Sequence, residues 1–204
     1  MGLDLARRDL DRIYSSLDRM YGIVARLLED TIRGIGEWRE VDGLEDKLYI
    51  VETLMGVVEE QATFFIAKYQ PLGPELLEAK SLIRASYDLY RIARYCREIN
   101  RVIAYTSSGG LKHTPSVAQV TTIVREMVED AYRAYRHGDG EARRRVAERD
   151  NQVDTAYTRM LARIGREETL TRGEVVDLLI LRHLERIADH AVYLSGLTGP
   201  TATS

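Results

Sequence analysis

Leu184-Glu185-Arg186-Ile187-Ala188-Asp189-His190-Ala191-Val192-Tyr193-Leu194 carries apolar residues at helical spacing and two acids four residues apart. On a helix those acids stack one turn above the other along a single edge. A degraded copy lies in the first half, Leu89-Tyr90-Arg91-Ile92-Ala93-Arg94-Tyr95-Cys96, with the frame Leu-x-Arg-Ile-Ala kept. There Tyr90 stands for the Glu and Arg94 for the Asp. A repeated helix with acids in one copy only decides both the fold and the candidate site.

Working outward, nearly every long segment has a 3.6-residue apolar period and none has the two-residue period of a strand. A first helix is predicted over about Asp9 to Ile35, ended by Gly34 and Gly36, and a second over about Gly43 to Tyr69. Gln70-Pro71-Leu72-Gly73-Pro74 breaks the chain, and Pro74 suits the first turn of a third helix reaching about Tyr105. Thr106-Ser107-Ser108-Gly109-Gly110 reads as a linker, followed by Thr114-Pro115 as a cap and first turn. A fourth helix runs to about His137 and a fifth from the Gly138-Asp139-Gly140 turn to about Ile164. Thr171-Arg172-Gly173-Glu174 forms a capping box for a sixth ending near Gly196.

The pattern is all-α: six long antiparallel helices arranged as two three-helix repeats. The first repeat covers 9–106, a linker 107–113, the second repeat 114–198, and 199–204 is expected to fray. Val51-Glu52 aligns with Val153-Asp154, and Arg91-Ile92-Ala93 with Arg186-Ile187-Ala188. The repeats either pack as separate bundles or share one core.

The 204 residues are 45% hydrophobic and 30% charged with a net charge of −3, the balance of a folded globular chain that gives no reason to expect nucleic acid. The single cysteine, Cys96, excludes an internal disulfide and a zinc–thiolate cage, and reads as a buried apolar residue. No apolar run approaches the roughly 20 residues that span a bilayer. The charged start, with Asp4, Arg7, Arg8 and Asp9, is unlike a signal peptide. A cytoplasmic protein, reaching any membrane through partners, is expected.

On the fifth helix Asp150 falls inside the apolar arc of Val146, Val153, Tyr157 and Met160, and Asp154 falls at its edge. Glu185 and Asp189 border the buried arc of the sixth. If these two helices pack antiparallel across their short connection, four carboxylates gather in one place. At about 4 Å two like charges repel by about 4 kcal/mol at an effective dielectric near 20. A hard cation neutralises such a set, and so can Arg149, Arg182 or Arg186. In the first half Leu48 replaces the counterpart of Asp150, so with Tyr90 and Arg94 only Glu52 survives and no metal is expected there. His190 lies away from the side of Asp189 and reads as a surface or supporting residue; His183 and the tyrosines read as packing. No Glu-x-x-His pair of a carboxylate oxidase occurs on the fifth or sixth helix. No nucleophile–base pair or glycine-rich phosphate cradle is present either, so no catalysis is assigned.

These motifs, Asp150-Asn151-Gln152-Val153-Asp154 and Leu184 to Ala191, with Gln70-Pro71 ahead of the third helix, resemble the PhoU family of phosphate-uptake regulators over roughly 9–198. The resemblance implies two three-helix repeats and a non-enzymatic cytoplasmic regulator of a phosphate ABC transporter, restraining import or signalling when phosphate is plentiful. It also implies a sensor histidine kinase as a further partner, a homodimer, and metal ions such as iron, zinc, magnesium or manganese at acidic motifs. Carried onto this chain, the ligands are Asp150, Asp154, Glu185 and Asp189. The competing expectation is a metal-free helical scaffold whose acids are only a charged surface.

Overall fold

The computed structural model describes residues 2–106, 115–167 and 169–200, and these form six helices with no strand. They are α1 (Gly2–Glu37), α2 (Leu44–Tyr69), α3 (Pro74–Thr106), α4 (Pro115–His137), α5 (Gly140–Ile164) and α6 (Arg172–Ser195). The expected linker 107–113, the Thr114 cap and the last four residues of the expected tail lie outside the described residues.

The helix starts follow the cap chemistry. Thr171 and Glu174 close the full capping box of α6, and Asp139 accepts the Ala142 N–H at the start of α5. The first helix departs from expectation at both ends. It begins earlier, and Arg7 and Asp9 tie its opening turns to α3 and α2 through Glu78, Lys68 and Tyr69. It also runs through Gly34 and Gly36. Gly34 is there for closeness rather than for termination, because a Cβ would meet the Arg39 carbonyl oxygen at 2.6 Å. The reversal instead falls on Trp38 at φ 52, whose indole N–H donates to Thr106 O at 3.3 Å.

α3 and α6 pack on each other as extensively as on helices of their own repeats, while α2 covers α1 and α3, and α5 covers α4 and α6. One continuous apolar cluster runs through all six helices, so the two repeats share a single core. Leu17, Met20, Leu89, Ile92, Leu184 and Ile187 are fully buried in it, each contributing roughly 1.5–3 kcal/mol by leaving water. Cys96 is buried there too, as expected, and burial pushes its thiol up to about 12. α1 meets α4 through Tyr21 stacked on Tyr132 at 3.8 Å, with the Tyr132 hydroxyl donating to Asp18.

α3 and α6 run antiparallel, and their contacts obey a local two-fold relation. His190 on α6 meets Asp88 on α3, and His183 meets Tyr95. By the repeat alignment Asp88 corresponds to His183, and Tyr95 to His190, so these are the same contact seen twice. After α6, Gly199 lies so close to α4 that a Cβ would fall 2.0 Å from the Tyr135 carbonyl oxygen. Among the described residues no helix is long and apolar enough to cross a membrane.

Candidate metal centre: the carboxylate seam of the second repeat

Asp150 is placed by its neighbours. Val146 and Val153 bury the inner face of α5 completely, and Asp150 sits half-buried between their turns. Its Oδ1 is shielded from solvent and has no hydrogen-bond partner. Burial first, then the charges of Asp154, Asp189 and Glu185, push its carboxyl up to about 6. The three other expected acids therefore all act on Asp150 through space. Glu185, buried on α6, is raised as well, by burial and then by Asp189, with Arg182 and Arg186 opposing.

The other three acids thus lie within electrostatic reach of Asp150, but two of them are already held. Arg182 Nη1 donates to Glu185 Oε2 at 2.8 Å. Arg186 bridges the pair, with Nε 3.0 Å from Glu185 and Nη1 2.8 Å from Asp189. Asp154 is exposed and makes no ion pair among the described residues. Arg149, a candidate partner from sequence, turns to α4 instead and binds Glu126 and Asp130. Four carboxylates therefore face two guanidiniums. In this arrangement no three His, Cys, Asp or Glu side chains among the described residues form a group that could hold a metal ion. The donor chemistry suits a hard cation, and Asp150 offers an uncommitted oxygen. Glu185 and Asp189 join such a site only by releasing Arg186.

At the equivalent place in the first repeat, Leu48 is buried core and the Tyr90 hydroxyl donates to the exposed Glu52 at 3.3 Å. Arg94 lies over the Tyr90 ring, 6.0 Å from its centroid. Its guanidinium is held above its ordinary range by the hydrogen bond to Tyr90 and by the charges of Glu98 and Glu52. The cation here is part of the chain.

The structure also brings together a pair that the sequence reading missed. His190 is buried, not a surface residue, and its Nδ1 lies 2.9 Å from Oδ1 of the fully buried Asp88. Arg84 approaches the other oxygen at 3.4 Å. His183 is partly buried, and desolvation lowers its pKa and favours the neutral ring. The signal for the pair was present: Asp88 falls in the buried stripe of Ser81, Ala85 and Ile92, as Asp150 does in its own.

An all-α bundle of two fused three-helix repeats, with an acidic edge kept in one, is the class that this fold and seam define. The family model described as the PhoU domain matches residues 117–198, the second repeat. Over the longer span, the chain is 28% identical over 199 residues to the "Phosphate-specific transport system accessory protein PhoU homolog" of Pseudomonas putida, covering 93% of this chain and 77% of that protein. The Archaeoglobus fulgidus homolog is 29% identical over 151 residues, 74% of this chain and 69% of that one. Among solved structures, PhoU from Pseudomonas aeruginosa superposes with a TM-score of 0.82 at 20% identity, covering 93% of this chain and 94% of that one. The phosphate transport system regulatory protein PhoU from Streptococcus pneumoniae gives 0.79 at 16% identity, covering 93% of each. Residues 117–198 thus match the PhoU domain, and the chain as a whole is similar in sequence to PhoU homologs and in fold to PhoU structures.

Proposed function

We propose that this chain is an accessory regulator of phosphate-specific transport, acting by docking on transporter components rather than by catalysing a reaction. The observation that carries this reading is the extent of the likeness. Relatives named as accessory proteins of that transport system match over 93% of the chain, across both repeats. Restraint of import when phosphate is plentiful, a sensor histidine kinase as second partner, a cytoplasmic location and a homodimer belong to the same proposal. Deleting the gene in its native host and measuring phosphate uptake tests it. The expected result is uptake that no longer falls in phosphate-rich medium and is restored by the intact gene. Unchanged uptake, with no transporter component co-purifying, contradicts it.

The second part of the proposal concerns the seam. Asp150, Asp154, Glu185 and Asp189 are proposed to hold a hard divalent or trivalent cation, with iron, zinc, magnesium and manganese as candidates. A bound cation would supply the positive charge that Arg182 and Arg186 provide only in part. The uncommitted Asp150 oxygen and the raised carboxyl of that residue support this reading. The second reading, a metal-free scaffold, is favoured by the ion pairs of Arg182 and Arg186 with Glu185 and Asp189. Elemental analysis of purified protein before and after chelation separates the two. Metal that is lost in Asp150→Ala and retained in Glu52→Ala supports the one-sided site. A metal-free protein whose melting temperature ignores added cations supports the scaffold.

A further inference from the structure

Between α3 of the first repeat, α5 and the end of α6, a cleft of ≈ 530 Å³ opens, lined by Arg84, Arg143, Tyr193, Ser195 and the apolar Val192 and Leu197. No carboxylate is among its lining residues. Its size falls in the range of small-molecule sites.

Its two guanidiniums are under-used. Arg143 is exposed, and its side chain has no ion pair or hydrogen bond among the described residues. It lies beside the end of α6, with Nη2 3.8 Å from where a Gly196 Cβ would stand. The helix end does not claim its donors: the carbonyls of Val192 and Tyr193 already accept the Gly196 N–H, and that of Leu194 accepts the Leu197 N–H. Among the described residues Arg84 has one anionic neighbour, the buried Asp88, which is shared with His190. It is held in place by the rings of Tyr87 at 5.6 Å and Tyr193 at 5.9 Å. Cation–π contact of this kind restrains the guanidinium and reduces the entropy lost when its N–H groups bind. The Tyr193 hydroxyl, on a half-exposed ring, has no hydrogen bond among the described residues.

We propose that this cleft binds a phosphoryl oxyanion, with Arg84 and Arg143 as forks on its oxygens and the Tyr193 hydroxyl as a third donor. Paired N–H forks are the side-chain arrangement that fits tetrahedral phosphate oxygens best. The apolar Val192 and Leu197 accommodate an organic body if the phosphoryl group carries one. Because Arg84 comes from the first repeat and Arg143 from the second, the ligand would bridge them beside the Asp88–His190 contact. The acidic seam begins one turn away, since Asp150 follows Ala147 of the cleft wall by three residues and Asp189 precedes Tyr193 by four. Its charge opposes the anion.

Calorimetric titration of the full chain at low ionic strength, with inorganic phosphate and separately with AMP, tests it. Saturable binding is expected, weaker by about tenfold or more in Arg143→Ala and Arg84→Ala, and tighter in Asp150→Asn. Arg84 also flanks a buried carboxylate, so Arg143→Ala, on an exposed helix face, is the variant that decides if Arg84→Ala does not fold. Stronger binding of AMP assigns an organic phosphoryl compound, and equal or stronger binding of phosphate assigns the free ion. No saturable heat with either probe, or unaltered affinity in a folded Arg143→Ala, overturns the proposal.

Discussion

The two edges of the bundle share one helical frame and differ in charge. Leu89, Ile92 and Ala93 in the first repeat, and Leu184, Ile187 and Ala188 in the second, are all fully buried. Beside that shared frame, the first repeat has Leu48, Glu52, Tyr90 and Arg94, and the second has Asp150, Asp154, Glu185 and Asp189. In the first, Glu52 is met by the Tyr90 hydroxyl and by the nearby charge of Arg94. In the second, burial and then repulsion drive Asp150 toward its neutral form. Packing tolerates little change because every core methylene is felt, whereas residues at the border of the stripe are free to trade charge. The contrast recurs between the repeats, where one copy of a contact is the buried Asp88–His190 pair and the other is His183 against Tyr95.

The largest expected effect breaks that second contrast. Asp88→Ala leaves His190 buried without its partner and is expected to destabilise the fold by about 3–5 kcal/mol. Tyr95→Phe removes only a hydroxyl that accepts from Arg91, and is expected to change stability by under about 1 kcal/mol. Urea unfolding of both variants checks the asymmetry. Next, substitutions at the equivalent positions Leu48 and Asp150 of the edge helices should have effects of opposite sign. Leu48→Ala opens a cavity at a residue only 4% exposed, and a loss of about 2–4 kcal/mol is expected.

Asp150→Asn should instead stabilise the metal-free protein, and only in one pH range. The folded carboxyl titrates near 6 against an ordinary value of 3.8, so between those values the folded state holds more protons than the unfolded one. Stability contributed by this group therefore falls as pH rises through that window and stays low above it. The substitution is expected to gain about 1–2 kcal/mol above pH 6, after allowance for solvent screening, and little below pH 4. Thermal melts across pH 4 to 8 measure it. The smallest effect is expected for Tyr90→Phe, under about 0.5 kcal/mol, because its bond to the exposed Glu52 competes with water.

Much of the fold was legible because helix periodicity and caps are local. The Thr171–Glu174 box and the Asp139 turn are written in three or four consecutive residues. The end of α1 was not legible, because Gly34 answers to a chain segment folding back over it. That Asp154, Glu185 and Asp189 act on Asp150 through space could be read by placing two helical wheels edge to edge. The share taken by Arg182 and Arg186 could not, since residue spacing permits either a guanidinium or a cation at the same carboxylates. His190 was misplaced for a related reason. Its wheel position was measured against the α5–α6 hairpin, whereas in the fold that side of α6 is covered by α3.

The most direct test of the charge difference is a carbon-detected NMR titration of the Asp150 carboxyl in chelator-treated protein. A midpoint near 6, moving toward the ordinary range when Asp154 and Asp189 are both changed to Asn, is the expected result. A midpoint at the ordinary 3.8 in the unaltered protein would contradict the crowded seam.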